Sequence, residues 1–162
     1  MAFAYADRLK REKIIAVGKH FPGHGDTDVD SHRSLPILPF SRERLDSLEL
    51  YPFKSLIDED VAMVMIGHLF IPSLDTIVST LSHKVVTKLL KEEMKFDGIV
   101  VTDALNMKGV SSTLRPSEVT LAAYKAGVDL LLMPNEVKRS IDMIVAAVES
   151  GECTMEDLDN RV

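Results

Sequence analysis

The sequence predicts an α/β fold of four consecutive, parallel βα units. Four short apolar runs, at residues 14–17, 61–66, 98–102 and 128–133, are continuous where a half-exposed strand would alternate. Continuous runs are the mark of strands covered on both faces, as in parallel sheets. Segments with helical apolar spacing separate the runs. Pro and Gly gather where the runs end: Pro22, Gly23 and Gly25, then Gly67 and Pro72, then Gly109, then Pro134.

Taken in order, strands are expected over residues 13–18, 61–66, 98–102 and 128–133, each followed by a helix. Residues 41–56 place Leu45, Leu48 and Phe53 on one helical stripe, with Ser41 as N-cap and Arg44 as exposed charge. Residues 82–94 do the same with Val85, Val86, Leu89 and Leu90. Residues 140–148 put Ile141, Ile144, Val145 and Val148 on one face, and Gly151 is a natural stop. Arg115, Pro116 and Glu118 fit either a loop or a helix start.

The composition sets the limits of the function. Of the 162 residues 46% are hydrophobic and 27% charged, the balance of a globular chain with a core and not of a disordered or fibrous one. The net charge of -6 comes from scattered carboxylates, without the basic stripe that would neutralise phosphates, so nucleic acid is not an expected partner. No apolar run approaches the roughly 18 residues that cross a bilayer, and the opening residues lack the order of a signal peptide. Cys153 is the only cysteine, which rules out an intrachain disulfide and leaves the compartment open. With no linker or low-complexity tract, residues 1–162 read as one partial domain.

Chemistry is expected at the C-terminal ends of the strands, where parallel α/β folds place their ligands. The longest and most polar such loop, residues 21–39, follows the first run. The segment Lys19-His20-Phe21-Pro22-Gly23-His24-Gly25-Asp26-Thr27-Asp28-Val29-Asp30-Ser31-His32-Arg33-Ser34-Leu35-Pro36 holds three of the five histidines and three aspartates. Asp30 and His32, two apart, can pair so that the carboxylate fixes the imidazole tautomer and raises its basicity. An imidazole of pKa roughly 6.5 can give a proton to a leaving oxygen and take one back from water at neutral pH. The same residues could equally be polar loop groups held by local turns. A third arrangement is a zinc site of N and O ligands among His20, His24, Asp26, Asp30 and His32, which would make the protein a metal-dependent hydrolase.

The third run, Ile99-Val100-Val101-Thr102, delivers Asp103 to its C-terminal end. A carboxylate after such a run is an N-cap for the next helix or a functional group. His68, after Gly67, ends the second run and either faces the same mouth or is structural. Met107 and Met133 read as core filler or as a floor beneath a ligand.

The segment from Lys19 to Pro36, with Val101-Thr102-Asp103 and the Met that follows at 107, resembles glycoside hydrolase family 3. The likeness is to its branch of β-N-acetylglucosaminidases that recycle or degrade murein sugars. The resemblance implies that this chain is the C-terminal half of a TIM-type (β/α)8 barrel, starting in the helix before the fifth strand, with the first half upstream or on a second chain. It implies a retaining mechanism with Asp103 as nucleophile, His32 as acid/base and Asp30 as its orienting carboxylate. Lys19 and His20, with His68 as a further candidate, would bind the sugar. The substrate would be a small carbohydrate, with no cofactor and no metal, and with water or phosphate as acceptor. The family's early strands also supply an Asp and an Arg to the sugar, and no segment here matches them. An isolated half barrel exposes two sheet edges, so self-association or a companion half is expected, and the chain alone could be an inactive fragment. The loop 23–34, rich in Gly and Asp, is expected to move so that His32 can approach Asp103.

Overall fold

The computed structural model describes residues 2–25, 35–111 and 114–161. Its centre is a three-stranded parallel sheet in the order β1 (Val17–Phe21), β2 (Met63–Ile66) and β3 (Ile99–Thr102). Around it stand α1 (Ala2–Arg11), α2 (Arg42–Arg44), α3 (Tyr51–Ile57), α4 (Lys108–Ser111), α5 (Pro116–Ala126), α6 (Val137–Glu149) and α7 (Met155–Asp159). π-helical segments span Leu45–Glu49 and Lys84–Glu93, and a 3-10 turn spans Ser79–Leu81.

One face of the sheet is the core. Gly18, Val64, Ile66 and Val100 are buried beneath Phe53, Val86, Leu89, Leu90 and Phe96. Phe21 meets the Phe53 ring edge-on at 5.2 Å between centroids. Ser41 caps α2 as expected, its hydroxyl accepting from the Arg44 amide. The other face is open: Val17 and Ile99 are exposed, and Met63 and Met65 half-buried. In a closed barrel that face is the interior.

The first strand lies further along the chain than expected. It runs over Val17–Phe21, while Ile14 and Ile15 are exposed at 54% and 60%. The fourth run follows β3 in parallel, yet forms only the bridge Val101–Leu130. The reason is local. The Val100 amide donates to the Asp129 carboxylate and the Leu132 amide to the Thr102 hydroxyl, so side chains occupy positions that a ladder would fill with carbonyls. Backbone bonds from Thr102 N to Leu130 O and from Leu105 N to Leu132 O still hold the run beside β3.

Two helical stripes also differ. Leu48 is exposed at 55%, with Leu45 and Phe53 alone of that stripe in the core, because the π-helical turn over Leu45–Glu49 shifts the helical phase. On α6, Ile141 and Val145 are exposed, and the buried side is Ser140 and Ala147 with Ile144 and Val148 packed nearby. The segment after Arg115 is a helix: the Arg115 amide donates to Glu118 and Pro116 takes the first turn of α5. Among the described residues no helix is long and apolar enough to cross a membrane.

Candidate active site

The C-terminal ends of β1, β2 and β3 converge on three side chains: His20, His68 and Asp103. In β1 the pairing passes from Gly18–Val64 to Phe21–Ile66, three residues against two, so one extra residue is inserted at Lys19-His20. Such a bulge re-aims side chains that would otherwise alternate across the sheet. Lys19 is exposed and His20 half-buried, while Gly18 and Phe21 on either side are buried. Both the Lys19–His20 and the Phe21–Pro22 peptide bonds are cis. Opposite His20, Gly67 continues the pairing by donating its amide to Phe21 O. A Cβ at Gly67 would lie 3.0 Å from the His20 Cβ, so the missing side chain makes room for the imidazole.

Asp103 is fixed by the end of the sheet. Its amide donates to Ile66 O at 2.9 Å, and its Oδ1 accepts from the Ala104 amide at 2.8 Å. The next helix, α4, does not begin until Lys108, so Asp103 is not its N-cap. Oδ2 points to His20, with Nε2 at 3.6 Å, and the side chains are 18% and 27% exposed. That separation is too long for a hydrogen bond. Burial lowers the His20 pKa, opposed by the Asp103 carboxylate and reinforced by the Lys19 ammonium. Burial thus favours the neutral form of the ring.

His68, the further candidate for a sugar contact, has no exposed surface among the described residues. Its Nε2 lies 3.0 Å from Ala104 O and its Nδ1 2.7 Å from the Thr80 hydroxyl. Met107 is core, whereas Met133 is 57% exposed. Asp30 and His32, with Asp26 of the zinc reading, lie outside the described residues, as does most of the loop 23–34. What is described are the ends of that loop. Gly23 donates to His20 O, and the Leu38 amide and Pro36 carbonyl pair with Phe70 after β2. Gly23 has φ +135°, and a Cβ there would meet the Glu49 Cβ at 2.6 Å. Among the described residues no three His, Cys, Asp or Glu side chains gather as a metal site would require.

Sequence reasoning missed Thr80 and Glu49. Thr80 belongs to a set of buried hydroxyls, Ser79, Thr80 and Ser82. Two of them within the otherwise apolar stretch Ile77 to Leu81, and the third directly after it, were the available signal, since buried hydroxyls need partners. Glu49 carried none: its burial follows from the fold of Leu45–Glu49.

This layout, two imidazoles and a carboxylate at the ends of three consecutive parallel strands, fits a TIM-type barrel. Residues 1–162 match the family described as glycosyl hydrolase family 3 N terminal domain, and the chain belongs to that family. It is 33% identical to beta-hexosaminidase A of Pseudoalteromonas piscicida over 100% of this chain and 31% of the relative. It is 31% identical to the beta-hexosaminidase of Methylobacillus flagellatus, over 89% of this chain and 41% of that one. The structure of a glycoside hydrolase family 3 beta-N-acetylglucosaminidase from Paenibacillus sp. str. FPU-7 superposes with a TM-score of 0.90 at 40% identity, over 96% of this chain and 31% of that one. The chain thus spans less than half the length of these relatives.

Proposed function

We propose that this chain carries the nucleophile and the acid/base loop of a retaining β-N-acetylhexosaminidase that removes terminal β-linked N-acetylglucosamine. The observation that carries the proposal is the placement of Asp103: one carboxylate oxygen is held by the Ala104 amide, and the other faces His20 at the open end of the sheet. The names of the relatives supply the sugar.

In the first step Asp103 Oδ2 attacks the anomeric carbon as the bond to the glycosidic oxygen breaks, and His32 gives that oxygen its proton. In the second, a water gives its proton to His32 and its oxygen to the anomeric carbon, and the ester to Asp103 breaks. Two inversions leave the configuration retained. Asp30 orients His32 and stabilises the imidazolium that gives the proton in the first step, and the neutral ring left behind takes one back from water in the second. Lys19 and His20 bind sugar hydroxyls, and the Ala104 amide keeps Oδ1 out of the reaction.

A further βα half closes the open face of Val17, Met63, Met65 and Ile99 into a barrel and supplies the remaining sugar contacts. The test is hydrolysis of an aryl β-N-acetylglucosaminide by the chain alone and by the chain combined with a half barrel that provides the missing strands. Turnover with retained configuration in the combined sample supports the proposal. A folded, closed barrel that leaves the glycoside intact, or that loses activity to a chelator, contradicts it.

A further inference from the structure

We infer that His68 is a positioning residue that sets the nucleophile through the Ala104 peptide; the inference rests on the assignment of Asp103 above. Ala104 is held from both sides. Its amide donates to Asp103 Oδ1 at 2.8 Å, and its carbonyl lies 3.0 Å from His68 Nε2. A carbonyl only accepts, so Nε2 carries the hydrogen. Nδ1 of the neutral ring then accepts from the Thr80 hydroxyl at 2.7 Å. Thr80 has one hydrogen, so with it given to Nδ1 the carbonyl of Gly67, 3.1 Å from the Thr80 oxygen, is a neighbour and not a second hydrogen-bond partner.

The chain of hydrogen bonds therefore runs from Thr80 through His68 and Ala104 to the carboxylate. Each link is buried or half-buried, and His68 and Thr80 are both at 0% exposure. Directional bonds in such surroundings fix orientation more firmly than in water. What they fix is a peptide plane. If the Ala104 carbonyl swings, its neighbouring peptide rotates with it and the amide leaves Oδ1. The carboxylate can then turn about its side-chain torsions, and Oδ2 loses its set direction beside His20. The Ala104 carbonyl shares its peptide plane with the Leu105 amide, which donates to Leu132 O, so His68 on one edge and Leu132 on the other hold that plane together. A misplacement of about 1 Å at a reacting group is enough to lower rates by roughly 100-fold.

The test compares His68→Met, which fills the space without an N–H, with His68→Gln, whose terminal amide can reach Ala104 O. In the chain itself, Ala104 amide exchange should quicken by about tenfold or more in His68→Met and return towards the parent rate in His68→Gln. In the closed barrel, kcat should fall by roughly tenfold or more in His68→Met with KM within about twofold, and His68→Gln should recover most of it. Thr80→Val, which leaves the ring but removes its Nδ1 partner, should give a smaller loss of the same kind and serves if His68→Met does not fold. Equal losses in His68→Met and His68→Gln, a loss confined to KM, or unchanged Ala104 exchange in His68→Met would overturn the inference. If instead the parent protein forms no adduct at Asp103, the proposed function fails, while the exchange data still decide whether His68 holds Ala104.

Discussion

His20 Nε2 stands 3.6 Å from Asp103 Oδ2, facing that carboxylate oxygen without hydrogen-bonding to it. The pair is set by two devices, the inserted residue in β1 and the missing side chain of Gly67. On the proposed reading, His20 makes a hydrogen bond to a sugar hydroxyl.

The first prediction follows from that pair. His20→Ala should raise KM by about tenfold, the worth of one or two hydrogen bonds to the sugar, and change kcat less. Steady-state kinetics on an aryl glycoside reads both. A large fall in kcat at unchanged KM would give His20 a role in the chemical step.

His32 and Asp30 are predicted to act in the proton transfers alone. His32→Ala should spare glycosylation from activated aryl substrates, slow deglycosylation and let the intermediate accumulate, and azide should restore turnover with retained configuration. Asp30→Ala should be a milder version with a shifted pH profile. Burst kinetics and product stereochemistry check both, and azide products of inverted configuration from His32→Ala would contradict the assignment.

Burial lowers the His68 pKa below its ordinary value of 6.5, with the Ala104 bond and the Asp103 charge opposing. Between the lowered folded value and 6.5 the unfolded chain binds more protons than the folded one, so stability rises with pH across that window. The contribution is fully present above about 6.5 and is lost as the pH falls through the folded value. Denaturant unfolding at a series of pH values should show this slope, and it should flatten in His68→Gln. An unchanged slope in that variant would place the acid sensitivity elsewhere.

Gly23→Ala is predicted to be costly for two reasons at once: φ is +135°, and the new Cβ would fall 2.6 Å from that of Glu49. The expected loss is about 2 kcal/mol or more, read from the denaturation midpoint. Activity should fall as well, since Gly23 is the entry to the loop that carries His32. A variant of parent stability would show that Glu49 and the turn can move apart freely.

How far the sequence could be read depended on whether a signal was local. Val64, Ile66 and Val100 announced their strands because both faces of each run are apolar, and Asp103 stood out as the carboxylate that ends one. The first strand was placed too early because two of its residues, Lys19 and His20, are polar, while the apolar Ile14 and Ile15 before it are exposed. The weakness of the fourth run depends on Asp129 and Thr102 reaching across to another segment, and the His68 arrangement on Thr80 and Ala104 meeting from elements 24 residues apart. No spacing within one element records such meetings. Asp30 and His32, expected as a pair, lie outside the described residues.

The central claim is that Asp103 is the nucleophile, and covalent trapping tests it most directly. The closed barrel is incubated with a fluorinated N-acetylglucosaminide bearing a good leaving group, digested, and the modified peptide sequenced by mass spectrometry. The account predicts one sugar adduct, on Asp103, absent from Asp103→Ala. An adduct on another residue, or unimpaired hydrolysis by Asp103→Ala, would contradict it.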